Sequence, residues 1–144
     1  MRRTQRDRFQ TELCTELEMR ALEIKTSGPV YGTVKLPGSK SISARALLCA
    51  AMAEGTSELP GFLVCDDTRY LAHALTELGI VVSFGPKGER CTVEGLGGDF
   101  PVRAGSFFLG NAGTAMRFLT GVLTTAEGNY ELDGNERMRR RPIG

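Results

Sequence analysis

The sequence has no tryptophan, a single histidine and no long apolar run, and each shortage closes off a class of function. A membrane-crossing helix needs about 20 apolar residues, whereas the longest such run here is broken by Arg45 on one side and Glu54 on the other. The sequence therefore excludes a helical membrane protein. One histidine, His73, leaves Ser-His-Asp chemistry a single candidate base and leaves zinc almost without ligands. The cysteines Cys14, Cys49, Cys65 and Cys91 form no Cys-x-x-Cys pair, so reduced thiols and a cytoplasmic location are expected. Excess charge is missing too: 18 Lys and Arg stand against 17 Asp and Glu, a formal +1. With only 7 Phe and 3 Tyr for stacking, that balance speaks against a nucleic-acid partner.

What is present suits one globular domain: 144 residues, 41% hydrophobic and 24% charged. Residues 1–20 carry Arg2, Arg3, Arg6 and Arg8, but no apolar core of a secretory signal, and their acidic residues count against a transit peptide. They are expected to be an extension, poorly ordered or helical. From Leu22 onward, LEIK and VYGTVKL read as two strands flanking the Ser27-Gly28-Pro29 turn. ISARALLCAAMAE reads as a buried helix stopped by Gly55 as its C′ glycine, and Leu59 to Val64 as a short strand. Asp66-Asp67-Thr68 offers a cap to a second helix in which Leu71, Leu75 and Leu78 share a face, ended by Gly79. A hairpin of 80–84 with 91–93, a strand at 100–104, a helix over AMRFLTGVLTT and a strand at 130–132 complete an α/β (α+β) pattern. Its two loop-to-helix halves suggest a repeated unit.

Two of those loops carry the chemistry. A helix start presents unpaired N–H groups and a partial positive charge, so a small-residue loop feeding it is an anion site. Gly38-Ser39-Lys40-Ser41 supplies one, with Arg45 on the Ser41 face one turn later. The competing reading is that Ser39 or Ser41 merely caps the helix while Lys40 and Arg45 are solvated. Gly110-Asn111-Ala112-Gly113-Thr114 is the second, where Gly113 lets a ligand approach the backbone; the alternative is capping by Asn111 or Thr114. ERMRRR adds Arg137, Arg139, Arg140 and Arg141, which are either anion ligands or a solvated run. Neither a P-loop nor a dinucleotide fingerprint is present: Ser39 separates Gly38 from Lys40, and the Gly95–Gly98 stretch opens no helix. Asp66 and Asp67 read as a helix cap, and His73 as a bystander.

Three segments in this order, LPGSKSISARALLCAAMAEG, FLGNAGTAMRFLTG and LDGNERMRRRPIG, resemble the 5-enolpyruvylshikimate-3-phosphate (EPSP) synthase family. The resemblance implies enolpyruvyl transfer from phosphoenolpyruvate to the 5-hydroxyl of shikimate 3-phosphate, without metal or organic cofactor. By position it makes Lys40 the catalytic residue in contact with both substrates, and Ser41 and Arg45 ligands of shikimate 3-phosphate. Asn111, Gly113, Arg137 and Arg141 would hold phosphoenolpyruvate, and Gly113 would border the place where glyphosate substitutes for it. The family's fold is built from βαβαββ units, so residues 21–144 are expected to hold the first strand of a far domain and the start of the N-terminal domain, a truncated piece inactive by itself. A complementing C-terminal chain and a noncatalytic anion-binding remnant are the alternatives. A UDP-N-acetylglucosamine enolpyruvyl transferase is disfavoured by Ser41 after Lys40. Ala44 and Phe118 depart from the usual family pattern, and the Phe118 ring is expected to shift the Gly113 loop and alter inhibitor sensitivity.

Overall fold

A computed structural model describes residues 23–86 and 88–143. The expected extension at 1–20 lies outside them. The chain divides at Val34/Lys35 into two units. In the first, described residues 23–34 contain no helix or strand, and Ile24, Val30, Tyr31 and Val34 are exposed. The described residues of LEIK (23–25) and VYGTVKL (30–36) therefore do not form the expected strands. Alternating apolar residues make a strand only where a neighbouring strand accepts their N–H groups, and no strand among the described residues pairs with them.

The second unit, from Lys35, runs α1 Lys40–Met52, β1 Glu54–Pro60, α2 Asp66–Glu77, β2 Val81–Phe84, β3 Arg90–Leu96, β4 Ala104–Phe108, α3 Gly113–Leu123, β5 Asn129–Asp133 and α4 Glu136–Arg139. It forms a mixed α/β arrangement with two sheets. One is antiparallel, in the order β1-β3-β2, and the other is the parallel pair β4-β5. Parallel neighbours need a crossover, which α3 provides. The central β3 alternates its burial, turning Cys91, Val93 and Gly95 inward. The expected hairpin is present, with Phe84 opposite Cys91 and Gly85 N–H bonded to Arg90 O at 2.9 Å.

α1 is rich in Ala and Leu, good helix formers, and buries Ala44, Leu47, Leu48, Ala50 and Ala51. Together with Leu71, Leu75 and Leu78 near α2, and Ala115 and Leu119 of α3, they build one core. Each fully buried leucine contributes roughly 1.5–3 kcal/mol. The end of α1 differs from expectation: Ala53 is the C-cap in extended geometry, and Gly55 lies inside β1. The cause is close packing, since a Cβ on Gly95, the partner of Gly55, would strike the carbonyl oxygens of Ala50 and Ala53. The short strand expected at 59–64 is displaced to 54–60, because Phe62 leaves the sheet and is buried in the following loop. Likewise the strand expected at 100–104 begins only at Ala104, with Phe100 buried just before it.

α2 starts at Asp66, so the residues expected to cap it already lie within its first turn. Its N-cap is Cys65; Thr68 Oγ1 accepts from Cys65 N–H at 2.9 Å and donates to Leu63 O at 2.9 Å, while Asp66 and Asp67 are the first two helical residues. Its end follows expectation: Gly79, at φ 99°, donates to Thr76 O at 3.0 Å, and Ile80 N–H reaches Leu75 O at 2.9 Å. This is the paired C-terminal motif that requires a left-handed residue.

Candidate anion-binding site

The four helices of the described residues begin in two different ways. Cys65 and Thr68 cap α2, and Asn135 Oδ1 caps α4 by accepting from Met138 N–H at 3.0 Å; both helices also carry acidic residues in the first turn. α1 and α3 have no side-chain cap and no acid in the first turn. A first turn leaves N–H groups and partial positive charge unmet. The capping alternatives for Ser39, Ser41, Asn111 and Thr114 are thus not realised, and the two uncapped helices are those that follow the two small-residue loops.

Their N-terminal regions are close. Arg45 Cζ lies 5.3 Å from the Phe118 ring centroid, so α1 and α3 meet five residues after Lys40 and five after Gly113. At 1.5 Å per residue, each helix start is about 7.5 Å along its axis from that contact. α2 joins the group through Asp67, whose Oδ2 is 3.0 Å from Lys40 Nζ. Lys40 keeps half its surface exposed in this pair, and Asp67 only 24%. One turn further along α2, the Tyr70 ring packs so closely on Gly110, at φ 56°, that a Cβ there has no room. Burial, and secondarily the Asp66 carboxylate, raises the Tyr70 phenol above its ordinary pKa of 10.0.

The second loop is closed by the arginine-rich segment. Gly110 O accepts from Asn135 N–H at 2.9 Å, and Gly134 passes so near Gly110 O and Met138 that it also excludes a Cβ. The chain then bends back until the Arg141 guanidinium lies over Gly113, with Arg117 Nη1 next nearest. Arg117 Nη2 donates to Pro142 O at 3.1 Å and so ties α3 to this turn. Asn111 Oδ1 is buried and has no hydrogen-bond partner among the described residues. A buried amide oxygen without a donor is costly, and here it belongs to the residue just before the N-cap of an uncapped helix, a position suited to a ligand hydroxyl or bound water.

Of the residues singled out from sequence, the fold gathers Asn111, Gly113 and Arg141 at one helix start and Lys40, Ser41 and Arg45 at the other. Arg137 is exposed, and no hydrogen bond or ion pair among the described residues ties it to the cluster. Arg139 grips Asp133 at 2.8 and 2.6 Å, which raises its pKa further, and Arg140 pairs with Glu136. His73 is exposed, 3.3 Å from Glu77. Asp67 and Arg117 were not legible as site residues, because each acts on a partner more than 20 positions away. An open cleft of about 920 Å³ between the 35–38 segment and the Phe62 and Pro86 loops touches the first small-residue loop only at Gly38. Among the described residues, no group of three or more His, Cys, Asp or Glu side chains could hold a metal ion, and no helix is long and apolar enough to cross a membrane.

The model of the family described as EPSP synthase (3-phosphoshikimate 1-carboxyvinyltransferase) matches residues 24–144. The chain belongs to the EPSP synthase family. A 3-phosphoshikimate 1-carboxyvinyltransferase of Vibrio campbellii is 48% identical over 127 residues, covering 88% of this chain and 30% of that protein. One from Thiobacillus denitrificans is 50% identical over 127 residues, covering 88% and 29%. The solved EPSP synthase from Acinetobacter baumannii superposes with a TM-score of 0.71 at 33% identity, over 78% of this chain and 26% of that structure. The chain thus spans about 30% of the length of the EPSP synthases it matches.

Proposed function

We propose that this chain supplies the N-terminal part of an EPSP synthase site, with α1 receiving shikimate 3-phosphate and α3 receiving phosphoenolpyruvate. The observation that carries this reading is the contrast in helix starts: α1 and α3 lack both caps and acids, yet stand beside Lys40, Arg45, Arg117 and Arg141. Both ligands are polyanions. The N–H groups of α1 with Ser41, Lys40 and Arg45 offer the donors and charge a phosphate monoester needs. At α3, Arg141 and Asn111 flank the backbone of Gly113, and Arg137 completes the phosphoenolpyruvate set once ligand is present. Lys40 lies where charge develops as the enolpyruvyl group passes to the 5-hydroxyl and phosphate leaves, which a fixed cation stabilises. Glyphosate takes the phosphoenolpyruvate place beside Gly113.

The assignment for this chain is half-site binding, with residues 21–144 a partial domain. Turnover belongs to the cytoplasmic assembly in which a complementing C-terminal part supplies the acid–base groups. No metal or organic cofactor enters this reading. Calorimetric titration of shikimate 3-phosphate, with and without phosphoenolpyruvate, into the native chain and its Lys40→Ala variant tests it. Losing one charge-assisted contact weakens binding about 10- to 150-fold. Equal affinity in the two proteins, or no binding by either, overturns the reading.

A further inference from the structure

We propose that Phe118 is a positioning residue for Arg45, holding its guanidinium by the ring face so that its N–H donors stay free for an anionic group of the ligand. This rests on the proposed function and concerns the same site. The described cations are secured in different ways. Lys40, Arg90, Arg103, Arg139 and Arg140 each pair with a carboxylate, respectively Asp67, Glu58, Asp99, Asp133 and Glu136. Arg45 has no ion pair or hydrogen bond among the described residues and lies over the Phe118 ring, 5.3 Å from its centroid.

The difference matters for anion binding. A carboxylate partner occupies the donors a phosphate would use and repels the incoming charge. An aromatic face attracts the cation through its quadrupole, accepts none of its in-plane hydrogen bonds and adds no charge. The ring also limits a side chain that would otherwise sample many rotamers, which lowers the cost of ordering it on binding. Phe118 is 37% exposed on α3. The contact joins the two helices, so the ring sets Arg45 relative to the Gly113 end of the site.

Two readouts on the full chain test this in native protein, Phe118→Leu and Phe118→Tyr. The first is the NMR shift of the Arg45 δ-protons, which a ring above them moves upfield. The second is affinity for shikimate 3-phosphate. The expected result is an upfield shift in native protein and Phe118→Tyr that is lost in Phe118→Leu, with affinity about two- to fivefold weaker in Phe118→Leu alone. In an Arg45→Ala background, Phe118→Leu is expected to have no further effect, which separates positioning from general loosening of the fold. An absent shift in native protein overturns the proposal, as does equal affinity of native and Phe118→Leu proteins. If shikimate 3-phosphate binds to neither, the proposed function fails, and inorganic phosphate then carries the comparison; equal phosphate affinity overturns the role of Phe118.

Discussion

Replacing Gly113 with alanine separates the shape of the site from the stability of the fold. Gly113 is the first residue of α3 and is not among the glycines with positive φ, so its backbone suits alanine. Alanine is even the better helix former, by roughly 0.5–1 kcal/mol. The conflict lies in space. A Cβ at this position falls well under 3.0 Å from Arg141 Nη1, whereas Arg117 Nη1, at 3.6 Å, is in ordinary contact. Arg141 is the end of a flexible side chain, so it retreats by about 1 Å at little cost to the fold. What is lost is the geometry that aims its donors at an anion over the helix start. If one charge-assisted hydrogen bond goes, worth about 1.5–3 kcal/mol, the Kd for phosphoenolpyruvate rises about 10- to 150-fold. The assay is calorimetric titration in the presence of shikimate 3-phosphate, alongside thermal unfolding by circular dichroism. Arg141→Ala should weaken binding similarly, and the double variant little more than either alone, since both remove the same contact. Native affinity in Gly113→Ala refutes the reasoning, and so does a loss of stability beyond about 1 kcal/mol, which would mean Arg141 cannot move.

Asp67→Asn removes a negative charge beside the Lys40 site; at about 6 Å in water this is worth about 0.7 kcal/mol, so inorganic phosphate should bind about threefold tighter. Stability should change by less than about 1 kcal/mol, as for other exposed pairs, and weaker phosphate binding by calorimetry would show that the carboxylate instead holds Lys40 in place. Thr68→Val preserves the shape of a fully buried side chain but strips Cys65 N–H of its acceptor and Leu63 O of its donor. The expected loss is about 1–3 kcal/mol, read from the urea midpoint, and an unchanged midpoint would refute the capping role. Burial pushes the Cys91 thiol from 9.0 up to about 11. The unfolded chain therefore loses this proton first, and stability should fall as pH rises from 9 towards 11. A Cys91→Ala variant whose unfolding temperature drops equally over that range would exclude this source.

The helices were legible because their signals are local. α1 announces itself by its run of Ala and Leu and α2 by apolar spacing, and Gly79 marks the end of α2 with the left-handed φ it adopts. Strand limits were less legible, and for a physical reason. In β1, EGTSELP is mostly exposed and held by pairing with β3, whereas the apolar FLV after it serves as packing in a loop. Hydrophobicity there reports burial, not strand. VYGTVKL shows the converse, with a strand-like pattern that has no partner among the described residues. At the site, both small-residue loops were found from their composition, since helix starts and glycines carry that chemistry locally. The roles of Asp67, Arg117 and Phe118 needed the fold, because they act across helices. The contact of the Phe118 ring with Arg45 had no signal in the sequence.

The parallel pairing of β4 with β5 fixes when, as well as where, a ligand can be held. Gly110 O cannot receive Asn135 N–H, nor Arg141 come to rest over Gly113, until the chain has passed through α3 and returned alongside β4. Such pairing closes a long loop before it gains contacts, and is slow relative to helix formation. During refolding, helical signal should therefore recover early while affinity for anions lags behind it. The interval between them marks the closing of the crossover. A chain interrupted by arrest or proteolysis within that interval would carry helices of native appearance and no cradle around Gly113.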